Sequence, residues 1–482
     1  MQTRNSYKRY REHDTSEGRK RPLRCRAQPP AQGHSAPPEV NSQPLDITST
    51  TLRDAEHKGK PVHGLFLALP TEILHSLFGQ LDLSALGQLA LVTKGLNQAV
   101  EEYIYTNSGH RHVIPAASNG GDDGVNPLDF RKLGFLLKRV TAFRSLKYQL
   151  KTASFFLNKL KPVHCRICEV KGTSTSYHCF GELLNSYTAG WDEYKKIRAF
   201  SLVVSVAKLD ERTSKVLHRT PESFPWHEQD IRLFHRLIFL IPAKTDDDYG
   251  FWLTQILKPW PITFQARLLY LLTAPEDSRG CVSWTQVCGC SNVQHSNGNV
   301  DFREVARALW ILRTCRCQDW SQDDIISIFD ELTSTPNSWC LENVAQLLML
   351  CGSEVTHGVL GSRAISGRVE ELSVLLYYLA HACVSADEKM KCSDAGHLKW
   401  FTCVMKHIFA LLPSAIDKRS LSTKLMATWQ NYLTALFEEN ELDGDESEHE
   451  EIKEEFCTAL SSLTNLSAVL AEMVVDVTQS EP

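Results

Sequence analysis

Residues 65–92 read LFLALPTEILHSLFGQLDLSALGQLALV and decide the first part of the fold. Apolar side chains recur here at intervals of three and four residues, as on a helix: Ile73, Leu74, Leu77, Phe78 and Leu81. Pro70 suits the beginning of a helix, where its missing N–H would be unpaired in any case. The spacing therefore predicts a short helix that begins near Pro70.

A second and a third helix are expected directly after the first. Asp82 or Ser84 can cap the second helix, whose inner side carries Leu86, Leu89, Val92 and Leu96. The third runs from about Asn97 to Tyr105. Apolar residues crowd both sides of the first helix, although a small unit needs only one side for its own core. We therefore expect the other side to contact a partner protein.

The rest of the chain predicts a mainly α protein. With 482 residues, two or three domains are expected. Apolar residues keep helical spacing, as at Val305, Ala308, Leu309 and Leu312. Tight Asn-Gly turns between alternating segments are lacking, and so is any repeat of 20 to 50 residues with a fixed signature. A three-helix unit at 65–108 and an irregular all-helical region at 127–435 are therefore expected.

Both ends of the chain have strongly biased composition. Residues 1–26 carry nine Lys or Arg against three acids, and residues 1–60 are predicted to be a disordered basic tail. The run from Gly18 to Arg24 is similar to a short nuclear import signal, or is simply a solvated basic segment. Residues 438–455 hold eleven acids in eighteen positions and predict an acidic loop. An amphipathic helix at 456–478 is expected after it.

Composition also limits the location and the partners. The net charge of -5 is small, and basic clusters are weak outside the tail, so direct nucleic-acid binding is not expected. The chain opens without an apolar secretory segment and has no apolar run of 18 residues, so no membrane association is expected either. The 15 scattered cysteines are interpreted as free thiols in a reducing compartment, nuclear or cytoplasmic.

Motifs of enzymes are missing from the sequence. It contains no phosphate-binding loop, no dinucleotide fingerprint, no nucleophile elbow and no His-Glu-x-x-His motif. One cluster has zinc-ligand residue types at irregular spacing: Cys165, Cys168, His178 and Cys179. Free cysteines within helical packing are the simpler interpretation. We expect no cofactor, no metal and no catalysis.

The first segment resembles the F-box family. Leu69-Pro70-x-Glu72-Ile73-Leu74 is followed by Phe78, Leu81, Leu86, Leu89, Val92 and Lys94 over about 40 residues, in the order typical of that motif. One departure is Leu96, close to where many members carry an aromatic residue. Later segments also resemble a member of this family, such as Thr188–Glu193 and Phe251–Pro261, and the resemblance covers roughly residues 65–435.

The resemblance implies a function through partners. F-box modules dock on the Skp adaptor of cullin–RING ubiquitin ligases, so the chain would be a non-catalytic substrate-recognition subunit that presents an unknown protein target. The alternative is a scaffold that binds the adaptor outside a ligase. The adaptor-binding residues implied are Leu69, Pro70, Ile73, Leu74, Phe78, Leu81, Leu86, Leu89 and Val92. Some of them must face the chain's own core instead of the adaptor, and the sequence does not show which.

Overall fold

The computed structural model describes residues 68–114, 126–160, 170–277, 279–288, 300–315, 320–390 and 396–440, and scattered positions between 457 and 471. All of them belong to one compact unit, Val62–Pro482. The predicted basic tail at 1–60 lies outside the described residues. Within the described ranges the chain forms eighteen α-helices and one π-helix, without a strand, which confirms the mainly α fold class.

Four short helices come first: α1 Thr71–Phe78, α2 Leu83–Val92, α3 Lys94–Ile104 and α4 Asn107–Val113. The third begins three residues before the expected Asn97, because the Thr93 hydroxyl accepts a hydrogen bond from the Leu96 N–H at 3.1 Å and caps it. No sequence pattern predicted α4, which begins within the segment 65–108 and continues beyond it.

The remaining helices are α5 Pro127–Thr141, α6 Leu146–Leu160, α7 Val170–Thr188, α8 Glu193–Ala207, α9 Leu209–Leu217, α10 Pro225–His235, the π-helix Arg236–Leu240, α11 Asp246–Leu257, α12 Ile262–Thr273, α13 Arg303–Thr314, α14 Gln322–Thr333, α15 Leu341–Ile365, α16 Val369–Met390, α17 Gly396–Leu411 and α18 Ala415–Asn440. Helix α15 bends at Gly352, whose φ of 74° is outside the helical region. Residues 438–440 of the predicted acidic loop are thus helical, and 441–455 lie outside the described residues.

Packing follows a regular order along the chain. Several pairs of helices two apart in sequence contact each other: α5 with α7, α6 with α8, α11 with α13, α12 with α14, α13 with α15, α15 with α17, and α16 with α18. Neighbouring helices also contact each other, as α15 does α16. Such an arrangement stacks consecutive helical hairpins, so each segment buries its apolar face against its neighbours. None of the described helices is long and apolar enough to cross a bilayer.

Buried arginines stabilise several helix ends. Arg232 donates to the carbonyl oxygens of Leu271 at 2.7 Å and Ala274 at 2.6 Å, at the end of α12. Arg267 donates to the carbonyl oxygen of Leu217 at 2.7 Å, at the end of α9. The last carbonyl groups of a helix have no partner within the helix. These side chains satisfy such carbonyl groups and connect the hairpins inside the core.

Candidate functional site

Helix α1 presents two different faces. The carbonyl oxygen of Pro70, the residue just before the helix, accepts from the Ile73 N–H at 3.0 Å and the Leu74 N–H at 3.1 Å. Leu74 and Phe78 are buried at 6% and 2% exposure. Ile73 and Leu77, which are also four residues apart, are 50% and 43% exposed. An i, i+4 pair shares one helix face, so α1 offers an apolar face to solvent.

An aromatic cluster holds the inner face of α1. The ring of Tyr103, on α3, lies 5.6 Å from Phe78 in a T-shaped contact and 5.4 Å from His75. The Tyr103 hydroxyl is 2.9 Å from His112 Nδ1 on α4. A Cβ at Gly109, on α4, would lie 1.9 Å from the Tyr103 carbonyl oxygen, so only glycine permits this approach. Helix α4 therefore completes the packing that fixes α1.

Helix α2 contacts both the first helices and the region beyond them. Asp82 caps it by accepting from the Ala85 N–H at 2.6 Å. Leu86 is fully buried, and the neighbouring Gly87 allows α5 to approach closely. A Cβ at Gly87 would lie 2.9 Å from Nη1 of Arg139 and 3.7 Å from Cα of Leu136, both on α5. Close packing therefore joins the predicted segments 65–108 and 127–435.

Polar contacts strengthen the same junction. The side-chain amide of Asn97 donates to the carbonyl oxygens of Ala90 at 3.1 Å and of Arg139 at 3.4 Å, at the ends of α2 and α5. Arg144, after α5, donates to the carboxylate of Glu101 on α3 at 2.5 Å. Burial, followed by a hydrogen bond with Glu101, raises the pKa of Tyr148 on α6. The tyrosine hydroxyl therefore stays protonated at neutral pH.

The structure divides the nine predicted residues into three groups. Leu74, Phe78 and Leu86 are buried in the chain's own core. Three are half-buried against that core: Leu69, Leu81 and Leu89. Three are exposed: Pro70, Ile73 and Val92.

Two further apolar residues belong to the exposed group. Leu77 is the i+4 partner of Ile73, and its spacing was visible in the sequence. Leu91, at 55% exposure, lies beside Val92, at 57%. Leu91 had no distinguishing signal, because α2 is apolar almost all round. Leu96, close to where many F-boxes carry an aromatic residue, is buried at 5% exposure and faces the core.

Half of the proposed cysteine cluster is described. Cys165 and Cys168 lie outside the described residues. His178, on α7, is half-exposed, and its Nε2 lies 4.0 Å from Glu182. Burial raises the pKa of the adjacent Cys179 to about 11, so its thiol is protonated at neutral pH and is a poor metal ligand as it stands. Among the described residues no group of three His, Cys, Asp or Glu side chains is placed to hold a metal.

Comparison with known proteins identifies the family. The protein named F-box only protein 47 from Mus musculus is 31% identical over 366 residues, which cover 74% of this chain and 78% of the mouse protein. The protein of the same name from Homo sapiens is 30% identical over 365 residues, with the same coverage. The chain belongs to the F-box only protein 47 family. Both the F-box resemblance and its extension into the helical region are thereby confirmed.

A family model described as "FBXO47, ARM repeats" matches residues 206–481. This match identifies repeats in a sequence that shows none with a fixed signature, and it extends beyond residue 435, where the resemblance seen in the sequence ended. Armadillo repeats are about 40–47 residues long and consist of two or three stacked helices. Five helices between α11 and α18 pack on the next helix but one, as in such a stack: α11 on α13, α12 on α14, α13 on α15, α15 on α17, and α16 on α18. Stacked helices need apolar faces but no fixed short motif, so the sequence did not show them.

Proposed function

We propose that this chain is the substrate-recognition subunit of a Skp–cullin–F-box ubiquitin ligase. The observation that carries the proposal is the exposed apolar face of α1, Ile73 and Leu77, together with Leu91 and Val92 at the end of α2. The opposite sides of both helices are buried in the chain's own core. A partner protein, the Skp adaptor, would cover the exposed sides.

Burial of this apolar face can supply part of the binding free energy of a partner. Burying a whole Val, Leu or Ile side chain contributes about 1.5–3 kcal/mol, and these four are already about half covered. Their remaining burial therefore offers roughly 1 kcal/mol each. Because a few central residues usually dominate an interface, four such side chains form a credible anchor.

The chain itself would perform no chemistry. The adaptor would connect it to a cullin–RING ligase, where ubiquitin transfer belongs to the RING and conjugating enzymes. The stacked helices after residue 127 would hold a target protein near the activated ubiquitin. This proximity raises the effective concentration of the target lysine. The basic run Gly18–Arg24 supports a nuclear as well as a cytoplasmic location, which a fluorescent fusion with and without that run would test.

Co-expression of the full chain with the Skp adaptor tests the proposal. Size-exclusion chromatography with light scattering should show a one-to-one complex, and addition of a cullin–RING pair should give a larger assembly. An adaptor complex that fails to recruit the cullin would favour the alternative of a scaffold outside a ligase. A chain that elutes alone, folded, would refute both.

A further inference from the structure

A groove in the second half of the chain lies far along the sequence from the F-box helices. It has a volume of about 530 Å³ and is lined by residues of α13, α14, α15 and α17. Its α15 side carries small residues, including Gly358, Gly361 and Ser362. A Cβ at Gly361 would lie 3.0 Å from Leu411 Cδ1 on α17. The small residues bring the helices close together at this part of the groove.

One side of the groove is apolar. Ile365, at the end of α15, is 70% exposed, an unusual position for isoleucine. Ile326 of α14 and Leu411 of α17 also line the groove and are half-buried. These three side chains would cover an apolar side chain inserted from outside.

Exposed carboxylates stand beside the apolar side. Asp323 of α14 is exposed and makes no ion pair among the described residues. Glu354 of α15 is 63% exposed and reaches only Arg313, at 3.7 Å. The described lining thus has two carboxylates and one guanidinium group. Burial and the neighbouring His407 lower the pKa of His357. The Asp, Glu and Arg side chains of the lining together carry a net negative charge.

We propose that this groove binds a short segment of the target protein in which an apolar side chain lies next to a lysine or arginine. The apolar side chain would contact Ile365, and the cation would lie between Asp323 and Glu354. The proposal rests on the target-recruiting role proposed above, and it adds the chemical class of the recognised segment. Stacked helical repeats commonly bind partners along such surfaces.

Three labelled peptide pools test the proposal on the full chain. Every peptide has twelve residues with a central Leu. In the neutral pool the flanking positions hold uncharged residues only, the basic pool adds Lys and Arg, and the acidic pool adds Asp and Glu. In fluorescence anisotropy the basic pool should bind about tenfold more tightly than the acidic pool, a difference within the range for two exposed ion pairs. An equal affinity for the basic and acidic pools would overturn the proposal.

Matched variants localise the binding. Asp323→Lys with Glu354→Lys should reverse the preference between the basic and acidic pools. The control Asp210→Lys with Glu211→Lys, on the exposed side of α9, should leave it unchanged. Ile365→Ser should weaken binding of the basic pool, whereas Ile416→Ser, at a site 79% exposed on α18, should leave that binding unchanged. Equal effects in variant and control would place binding elsewhere on the chain and overturn the proposal.

Adaptor binding is measured in parallel on the same variants. If the groove variants still co-elute with the Skp adaptor but no longer prefer the basic peptide pool, peptide binding in the groove is supported independently of the F-box. Failure of adaptor binding in the wild type would refute the ligase role and leave the peptide result to be judged by itself.

Discussion

Truncation of the exposed face of α1 gives the sharpest test of the F-box assignment. In the double variant Ile73→Ala, Leu77→Ala, the side chains lost are 50% and 43% exposed in the free chain. Completing their burial would contribute about 1 kcal/mol each, so the pair should cost about 2 kcal/mol of binding free energy. That loss corresponds to a roughly 30-fold increase in the Kd for the Skp adaptor.

Isothermal titration calorimetry with the purified adaptor, at a fixed salt concentration, measures this change in Kd. The fold should be preserved, since exposed substitutions usually change the free energy of unfolding by less than about 0.5 kcal/mol and alanine favours helices. The matched control Ile241→Ala, Ile416→Ala removes two other exposed isoleucines, at 55% and 79% exposure. An unchanged Kd in the α1 variant, or an equal loss in the control, would refute the reasoning.

Three further predictions concern stability. Phe78→Ala opens the cluster around Tyr103, so thermal unfolding should show a loss of about 3–5 kcal/mol. His235 is wholly buried, and that burial lowers its pKa to about 3 in the folded chain. As the pH falls, His235 is therefore protonated in the unfolded chain before it is protonated in the folded chain. Stability should therefore fall as the pH drops from about 6.5 toward 3, by about 3 kcal/mol at pH 4, and His235→Leu should remove this dependence. Arg363 is 5% exposed and donates to Asp330 at 2.6 Å and Glu371 at 2.8 Å. Because both carboxylates are partly hydrated, Arg363→Met should cost about 2 kcal/mol in urea unfolding.

Each of these variants has a natural control in the chain. Leu77→Ala, on the exposed face of α1, should leave the melting temperature nearly unchanged where Phe78→Ala lowers it. His227→Leu, at an exposed site, should retain the acid dependence that His235→Leu removes. Arg368→Met, whose side chain is 43% exposed, should have little effect in urea. A control that matches its variant would show that burial is not the cause.

Helix positions were largely predictable from local signals. The apolar spacing from Ile73 to Leu81 and the cap at Asp82 correctly indicated α1 and α2. The helical spacing at Val305, Ala308, Leu309 and Leu312 likewise lies within one helix, α13, Arg303–Thr314. Such features depend on neighbours in sequence, so a single sequence contains them.

The direction of side chains was not predictable in the same way. Leu86 and Leu91 are both leucines of one apolar helix, and the packing of α2 against α3 and α5 decides which is covered. The Tyr103 cluster depends on α4, which begins at a Thr106 cap with little apolar pattern of its own. Long-range packing determines these features, and one sequence does not display it.

The contact of Gly87 with α5 limits what can be cut or transplanted. A fragment ending at residue 108 would lose α5 and most of α4, and so open the core that includes Leu86 and Ala90, now at 0% and 3% exposure. Such a fragment would expose apolar surface and be prone to aggregate. Grafting these helices onto another receptor would need the α5 surface carried along with them. The first helices are thus not an interchangeable cassette, because their core continues into α5 through the close approach at Gly87.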